Sequence, residues 1–280
     1  MTQPFSVFIG SGEASLLERK VLIYSLRKHA SRALDIRVFN GTHDALEREG
    51  CAPLPLNTPI QAKYRNVTEF SNYRFLIPQL CGHAGRAVYL DSDTVCLADI
   101  AELAEAPMDR NAILALPDAY RHSGDERWGL SVALFDCARC RFDLQAIFDE
   151  IAAGLYTYTD LHQLTPRFRA SHPVAVGALD PNWNVFDRHD SSTKLIHYTN
   201  LLTQPWKYRG HPYGELWFRY FAEARRAGFV SDADIETTLV RSYARQDLLA
   251  GNDWTLAGLA RHFFRETGNF LGSRLRRLLD

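Results

Sequence analysis

Short apolar runs typical of buried strands alternate with helical patterns along most of this chain. The first strand run, residues 5–9, leads into Gly10-Ser11-Gly12 and a predicted helix over residues 15–31, where Ser15 and Glu18 have the spacing of a capping box. Further strands are predicted at residues 36–39, 86–90, 112–116, 131–135 and 193–198, and further helices at residues 69–80, 98–105 and 144–153. This alternation predicts an α/β fold with a mostly parallel central sheet.

From Tyr213 onward the pattern becomes helical. Ser231 precedes Asp232 and Asp234 at a predicted helix start, and another helix is predicted over residues 254–265. We therefore expect one α/β domain over residues 1–228, followed by a C-terminal helical extension over residues 229–280.

The composition excludes several classes of protein. The chain has 280 residues, of which 46% are apolar, and this is the ordinary share for a globular protein. Its 32 Lys and Arg against 33 Asp and Glu give a net charge of -1, so no global positive field exists to hold nucleic acid. Five cysteines, an odd number, and the lack of a leader pattern after Met1 predict a reducing, cytoplasmic setting. No run approaches the ~18 apolar residues of a membrane span.

Two Asp-x-Asp triplets occur, and about 1.4 are expected by chance at this Asp content. The motif alone is therefore not evidence for a site. Asp232 and Asp234 are explained by helix capping. Asp91 and Asp93 directly follow an apolar strand, and a period of two predicts that their carboxylates share one face. Ligands bind at the carboxyl ends of strands in open α/β sheets. Two carboxylates at that place suit Mg²⁺ or Mn²⁺ beside a diphosphate.

A third metal ligand has to come from elsewhere in the chain. His197, at the end of the predicted strand over residues 193–198, is the best candidate. An imidazole beside two carboxylates shifts the preference from Mg²⁺ toward Mn²⁺. A histidine that ends a strand is more often a plain structural residue, so position alone leaves this assignment open.

A set of short motifs follows in order along residues 5–220. They are Val7-Phe8-Ile9-Gly10, Ser71-Asn72-Tyr73-Arg74-Phe75, Val88-Tyr89-Leu90-Asp91-Ser92-Asp93, Asn182-Trp183-Asn184, His197 and Gln204-Pro205-Trp206. In order and spacing this set resembles the family 8 glycosyltransferases, the group related to glycogenin and to bacterial lipopolysaccharide galactosyl- and glucosyltransferases. The resemblance implies a GT-A-type fold, a single Rossmann-like domain with a helical tail.

The resemblance also implies roles for individual residues. Asp91, Asp93 and His197 would hold Mn²⁺, or Mg²⁺, against the diphosphate of a UDP-sugar donor. A guanidinium such as that of Arg74 binds phosphate or sugar oxygens in a planar fork. The full set of donor-binding candidates is Ile9, Gly10, Ser11, Arg74, Ser92, Gln204 and Lys207.

Two aspartates are candidates for catalytic roles. Asp160 is the nearest match to the family's Asp-Gln pair, which lies near the reacting carbon. Asp118 follows the predicted strand over residues 112–116 and is a candidate contact to the acceptor. A loop Asp that starts a turn explains Asp118 equally well.

The chain departs from the family pattern around its last motif. Where the family has His-x-x-Gly-x-x-Lys-Pro-Trp, this chain has Asn200 for Gly, Gln204 for Lys and one additional residue. The donor diphosphate therefore loses a cation at this place. Lys207 or Arg209 would replace it, and the sequence does not choose between them.

By resemblance, the function is metal-dependent transfer of a hexose from UDP-glucose or UDP-galactose, with retention of configuration. The acceptor would be a hydroxyl of a carbohydrate, a glycolipid or another molecule, and no nucleic-acid partner is expected.

Two other functions stay open. Residues 88–95 also fit the nucleophile motif of haloacid-dehalogenase-like phosphatases, in which Asp91 would be phosphorylated and Asp93 would act as general acid and base. In that group the motif normally lies near the first strand, whereas two strands and two helices come before it here. The other alternative is a non-catalytic nucleotide-sugar-binding protein on the same fold.

Residues 261–280 carry five arginines against Glu266 and Asp280, a local charge of +3, together with several Phe and Leu residues. A basic amphipathic end of this kind is typical of peripheral contact with an anionic membrane, here at its inner face. Packing of the same helix against the catalytic domain is the competing interpretation.

Overall fold

The computed structural model describes residues 4–57, 70–118 and 126–248. Its strands, in chain order, are β1 (Phe5–Ser11), β2 (Leu34–Asn40), β3 (Ala45–Arg48), β4 (Leu54–Pro55), β5 (Arg86–Asp91), β6 (Thr94–Cys96), β7 (Ile113–Pro117), β8 (Trp128–Asp136), β9 (Val176–Ala178), β10 (Val185–Phe186) and β11 (Leu195–His197).

Eight of these strands form the central sheet, in the order β4-β3-β2-β1-β5-β8-β7-β9, and β10-β11-β6 form a small second sheet. Six strands of the central sheet run in one direction, and β3 and β8 run in the other. The predicted α/β fold with a mostly parallel sheet is therefore confirmed. The two exceptions are β3, which lies antiparallel to β2 and β4, and β8, which lies antiparallel to β5 and β7.

The helices are α1 (Leu16–His29), α2 (Ile77–Leu80), α3 (Ile100–Ala104), α4 (Leu144–Ala152), α5 (Tyr158–His162), α6 (Pro166–Ser171), α7 (Gly214–Arg226) and α8 (Asp232–Val240). Short 3-10 turns lie at Glu13–Ser15, Tyr73–Leu76, Pro181–Trp183 and Gln246–Leu248. The helix predicted over residues 254–265 and the basic end over residues 261–280 lie outside the described residues.

Two helix starts differ in how far the sequence predicts them. The helix start predicted at Ser231 is confirmed, and Ser231 and Asp234 form a capping box through reciprocal bonds. The one predicted at Ser15 is wrong: Ser15 ends a 3-10 turn and its side chain makes no capping bond. Glu18, the expected partner, is buried instead.

The long helix predicted over residues 69–80 is reduced to a 3-10 turn and the single turn of α2, since Pro78 lacks the N–H that a continuous helix needs.

Apolar side chains cover both faces of the central sheet. Along β1 the faces alternate, so Phe8 packs in one layer while Val7 and Ile9 pack in the other. A third cluster joins α1, α7 and α8 through Leu17, Trp206, Trp217, Phe221, Ile235 and their neighbours. The third cluster fixes α1 behind the loop that follows β1.

None of the helices in the described ranges combines the length and apolar character that a membrane crossing requires. All five cysteines lie in described residues and carry free thiols.

Candidate functional site

The candidate site lies at the carboxyl ends of β1 and β5, two adjacent parallel strands. Gly10 is paired with Asp91 across them. The backbone then turns at residues 92–93 and continues as β6, which pairs antiparallel with β11 so that Thr94 lies opposite His197. This turn, rather than strand alternation, brings the two aspartates together. Asp91, Asp93 and His197 offer ligand atoms within 4.8 Å of one another, as a metal site requires.

Hydrogen bonds orient the imidazole of His197 toward Asp93. The Nε2 atom of His197 lies 2.9 Å from Oδ1 of Asp93. On the other side of the ring, Nδ1 donates to Oδ1 of Asn184 at 3.0 Å, and Asn184 is itself held because its Nδ2 donates to Ser131 Oγ. A metal-binding histidine needs this kind of support, because the bond at one nitrogen selects the tautomer at the other.

Asp91 is held from the side of β5 and the 3-10 turn Tyr73–Leu76. The hydroxyl of Tyr89 donates to Oδ1 of Asp91 at 2.7 Å, and an Arg74 amino nitrogen lies 3.5 Å from the same oxygen. The Arg74 guanidinium also lies over the Tyr89 ring, and its Nε donates to the carbonyl of Ser71. These contacts occupy one oxygen of Asp91 and fix Arg74 beside the three candidate metal ligands, and its predicted contact to the donor stays a prediction.

The electrostatics of the cluster follow from burial and close charges. Burial raises the pKa of Asp91, and the Arg74 guanidinium opposes that rise. Burial acts to lower the pKa of His197, but the nearby carboxylates of Asp93, Asp91 and Asp187 together more than offset it, so the pKa lies above its ordinary value. The cluster therefore concentrates negative charge that a bound cation would balance.

The candidates Ile9, Gly10 and Ser11 are the last residues of β1, which continues past the break predicted at Gly10, and Gly10 pairs with Asp91. Ile9 and Ser11 are buried, and the Ser11 hydroxyl donates to backbone carbonyls of the same loop. Gly10 is buried as well, and its carbonyl accepts from the Ser92 N–H. A Cβ on Gly10 would overlap the Tyr89 hydroxyl and lie 2.5 Å from Cδ2 of Phe70, so the close approach of these groups requires glycine.

Ser92 is buried too, and its N–H donates to the Gly10 carbonyl at 3.1 Å. This bond ties the turn at residues 92–93 back to β1.

The segment after β11 distinguishes the two replacement cations. Gln204 Nε2 lies 3.4 Å from Oδ2 of Asp93 and donates to the Tyr198 carbonyl at 3.1 Å. Lys207 is in the same turn, since its N–H donates to the carbonyl of Gln204. Arg209 instead pairs with Asp247 at 3.3 Å. Arg209 is therefore engaged by another carboxylate, and the role of Lys207 as the cation beside the site stays a prediction.

A buried carboxyl lies near this turn. Glu18, in the first turn of α1, is 2% exposed and its Oε2 has no hydrogen-bond partner among the described residues. Burial raises its pKa to about 8, while the charge of Lys207 lowers it and that of Asp93 raises it.

The two predicted catalytic aspartates have different surroundings. Asp160 completes the capping box of α5: its carboxylate accepts from Thr157 and from the Thr165 hydroxyl at 2.7 Å. These bonds give Asp160 a structural role, and its catalytic role stays a prediction without a supporting contact. Asp118 accepts from Gln163 Nε2 at 3.2 Å, which places it beside the end of α5.

His162, which the sequence gave no reason to select, connects α5 to the Arg74 segment. Its Nε2 lies 2.8 Å from Oδ1 of Asn72, and Tyr158 packs against its ring with centroids 4.3 Å apart. Burial lowers the pKa of His162 to about 3, with the charge of Arg74 adding to the effect. The ring is therefore neutral at physiological pH.

Asn184 and His197 both belong to motifs that the sequence analysis selected. The hydrogen bond between them was not predictable from their spacing in the chain.

Residues 7–144 match the family model described as Glycosyl transferase family 8. Protein CDI of Arabidopsis thaliana is 25% identical over 236 residues, which are 77% of this chain and 82% of that protein.

Two solved structures are similar in fold. The galactosyltransferase LgtC, solved in complex with donor and acceptor sugar analogs, gives a TM-score of 0.56 at 12% identity over 81% of this chain and 100% of its own. The bifunctional glycosyltransferase WbbM gives a TM-score of 0.58 at 17% identity, over 85% of this chain and 51% of its own. Both likenesses confirm the predicted GT-A-type fold.

Proposed function

We propose that this chain, whose residues 7–144 match glycosyl transferase family 8, is a divergent member of that family and transfers a hexose from UDP-glucose or UDP-galactose to an acceptor hydroxyl. The transfer depends on a divalent metal and retains the anomeric configuration. The observation that carries the proposal is the convergence of Asp91, Asp93 and His197 beside the Gly10 loop, at the sheet edge where nucleotides bind in α/β folds.

The residues present fit a divalent cation. Two carboxylates and one imidazole lie within ligating reach of one another, and this donor set favours Mn²⁺ over Mg²⁺. When bound, the ion supplies Lewis-acid stabilisation of the UDP leaving group. Asn184 keeps His197 in the tautomer that presents Nε2, and Tyr89 orients Asp91.

We assign two cationic side chains of this protein to balance the remaining negative charge of the diphosphate. Arg74, held against Asp91, presents a planar guanidinium to phosphate or sugar oxygens. Lys207 replaces the cation that the Gln204 substitution removes, because Arg209 is engaged by Asp247. The uridine is assigned to the carboxyl end of β1, at Ile9, Gly10 and Ser11, and the Ser92 N–H holds this end in place through the Gly10 carbonyl.

The transferred hexose is assigned to the side of the site where α5 packs against the Arg74 segment. A chain of contacts runs from His162 through Asn72 to that segment and on to Asp91. Because His162 is neutral, it accepts or donates a hydrogen bond to a sugar hydroxyl without adding charge. Asp118, near the end of α5, is the acceptor-side candidate.

The test is turnover by an Asp93→Asn variant, with Asp232→Asn as the matched control. Asp232 belongs to the other Asp-x-Asp triplet and pairs with Arg225 on the surface. We expect Mn²⁺-dependent transfer or hydrolysis of UDP-glucose or UDP-galactose by the wild type and the control. Asp93→Asn should lose about a hundredfold or more, the scale of losing one electrostatic contact to the transition state.

Three outcomes would contradict the proposal. Full Mn²⁺-dependent turnover by Asp93→Asn removes the metal assignment. Rapid Mg²⁺-dependent hydrolysis of p-nitrophenyl phosphate without UDP binding favours the phosphatase. Calorimetric binding of UDP-sugars with no turnover across an acceptor panel favours a non-catalytic binding protein.

A further inference from the structure

A cavity of about 540 Å³ lies at the amino ends of β1 and β5, at the opposite edge of the central sheet from Asp91. Its wall includes Cys81, the half-buried residue that follows α2 and carries a free thiol. The Cys81 thiol interacts with Ser6 and Arg37, which line the same cavity. A small molecule in the cavity therefore meets the sulfur of Cys81.

A second cysteine packs behind this thiol, because the turn after α2 lies against the turn after β8. The N–H of Cys137 donates to the Gly85 carbonyl at 2.9 Å, and His83 Nδ1 lies 3.3 Å from the carbonyl oxygen of Cys140. Cys137 is 0% exposed and belongs to the apolar layer against which Cys81 packs. A side-chain hydrogen bond joins the two thiols.

The surroundings of the two thiols divide their roles. The hydrogen bond from Cys137 lowers the pKa of Cys81, and the charge of Arg37 acts in the same direction, against burial and the charge of Asp35. The same hydrogen bond and burial raise the pKa of Cys137. Since the thiolate is the nucleophile in thiol–disulfide exchange, Cys81 is the thiol that attacks first and Cys137 is the one that follows.

We propose that Cys81 and Cys137 form a reversible disulfide by exchange with a small soluble disulfide that enters the cavity. The Cys81 thiolate attacks one sulfur of the small disulfide, breaks its S–S bond and releases one small thiolate. The sulfur of Cys137 then gives its proton to a released thiolate and attacks Cys81, and the second small thiol leaves. Two protein thiols are oxidised and one small disulfide is reduced to two thiols.

Loss of the negative charge on Cys81 in the mixed disulfide favours the second step. The hydrogen bond that raises the pKa of Cys137 is made to the Cys81 sulfur, and it weakens once that sulfur is neutral. The site lies at the opposite end of β5 from Asp91, and its chemistry needs neither a sugar donor nor a metal. The proposal is therefore independent of the transferase function.

The first experiment uses oxidised glutathione as the probe. The folded full chain is incubated with an excess of it, free thiols are then blocked in denaturant with N-ethylmaleimide, and tryptic peptides are identified by mass spectrometry. The five cysteines fall in five different tryptic peptides, with cleavage after Arg139 separating Cys137 from Cys140. We expect peptide 75–86 to be linked to peptide 128–139 in a chain of monomer size, and the link to be lost in excess reduced glutathione.

Two variants separate the two steps. Cys137→Ser should stop at the mixed disulfide, so that peptide 75–86 carries one glutathione. Cys140→Ser is the matched control, since Cys140 is equally buried in the same turn, and it should form the link as the wild type does. Cys96, which is 0% exposed in the other layer of the sheet, should stay free of glutathione as long as the chain is folded.

Four results would overturn the proposal. They are an unmodified peptide 75–86, a mixed disulfide on it that persists in the wild type, a link between peptides 128–139 and 140–141, and a link found only in dimers. Modification of Cys96 at the rate of Cys81 would also overturn it, because the reaction would then belong to the unfolded chain.

Discussion

Gly10 controls the geometry of the metal ligands through Tyr89. The ring of Tyr89 lies beneath the glycine, and its hydroxyl reaches Oδ1 of Asp91. A larger side chain at position 10 would therefore displace the Tyr89 hydroxyl and, through it, Asp91, which Gly10 does not itself hold by a side chain. The glycine of this loop is required by a close approach of side chains, rather than by a left-handed backbone.

Replacing Gly10 by Ala should weaken both the fold and the metal site. The added Cβ overlaps the Tyr89 hydroxyl and Phe70, and overpacking of this kind costs about 1–3 kcal/mol. We expect a lower melting temperature and weaker Mn²⁺ binding by calorimetry. Gly129→Ala is the control, because the nearest atom to its Cβ is the Leu116 carbonyl at 3.7 Å. Equal Mn²⁺ affinities of the two variants would exclude the link through Tyr89.

Residue contacts set the limit of what the sequence predicts at the site. Asp91 and Asp93 were identifiable because they lie two residues apart after an apolar strand. His162 and Asn72 were not, because they are 90 positions apart and meet only when α5 packs beside the Arg74 segment. Asp160 was selected by its local motif, yet the same local sequence makes it a helix cap.

At the scale of elements, α1 carries its acidic residue in an unusual place. Carboxylates in a first helical turn normally face solvent and stabilise the helix dipole. Glu18 is buried instead, because the 3-10 turn Glu13–Ser15 rotates the start of α1 away from a capping box. A buried carboxyl without a partner favours its neutral form.

Glu18 should therefore make stability fall as the pH rises. Its pKa is raised to about 8 in the folded protein against an ordinary 4.5, so the folded state binds the proton more tightly. The stabilisation is complete below about pH 4.5 and is lost toward pH 8. We expect the unfolding free energy of the wild type to fall relative to Glu18→Gln by about 1.4 kcal/mol per pH unit over this window.

Urea unfolding of the metal-free protein at several pH values measures this difference. Glu215→Gln, an exposed change in the first turn of α7, is the control and should follow the wild type. Parallel pH profiles for the wild type and Glu18→Gln would mean that Glu18 is solvated or paired in solution.

At the scale of the whole molecule, the sequence predicts the order of the long elements better than their partners. Strands β1, β2, β5, β7 and β8 all contain predicted apolar runs, because burial on a sheet leaves a local pattern. Strands of two or three residues, such as β6 and β10, are too short to leave one. The small sheet that places His197 beside the aspartates is formed by those strands and β11. The sequence therefore predicted which residues form the candidate metal site, but not the sheet that brings them together.

The predicted boundary at residue 228 passes through one packed cluster. Val230, Ile235 and Leu239 lie in the cluster that contains Leu17 of α1, and Lys20 pairs with Asp234 at 2.6 Å. Each buried apolar side chain contributes about 1.5–3 kcal/mol, and the three together approach the 5–15 kcal/mol by which domains are stable.

A chain that ends after residue 228 should therefore unfold or aggregate, because the apolar face of α1 is left uncovered. A chain that ends after residue 248 keeps every described member of the cluster and should melt cooperatively by circular dichroism. A shorter chain that melts as the longer one does would instead establish residues 229–280 as an independent extension. Since only the 3-10 turn Glu13–Ser15 separates α1 from the end of β1, loss of its packing should also abolish Mn²⁺ binding in the shorter chain.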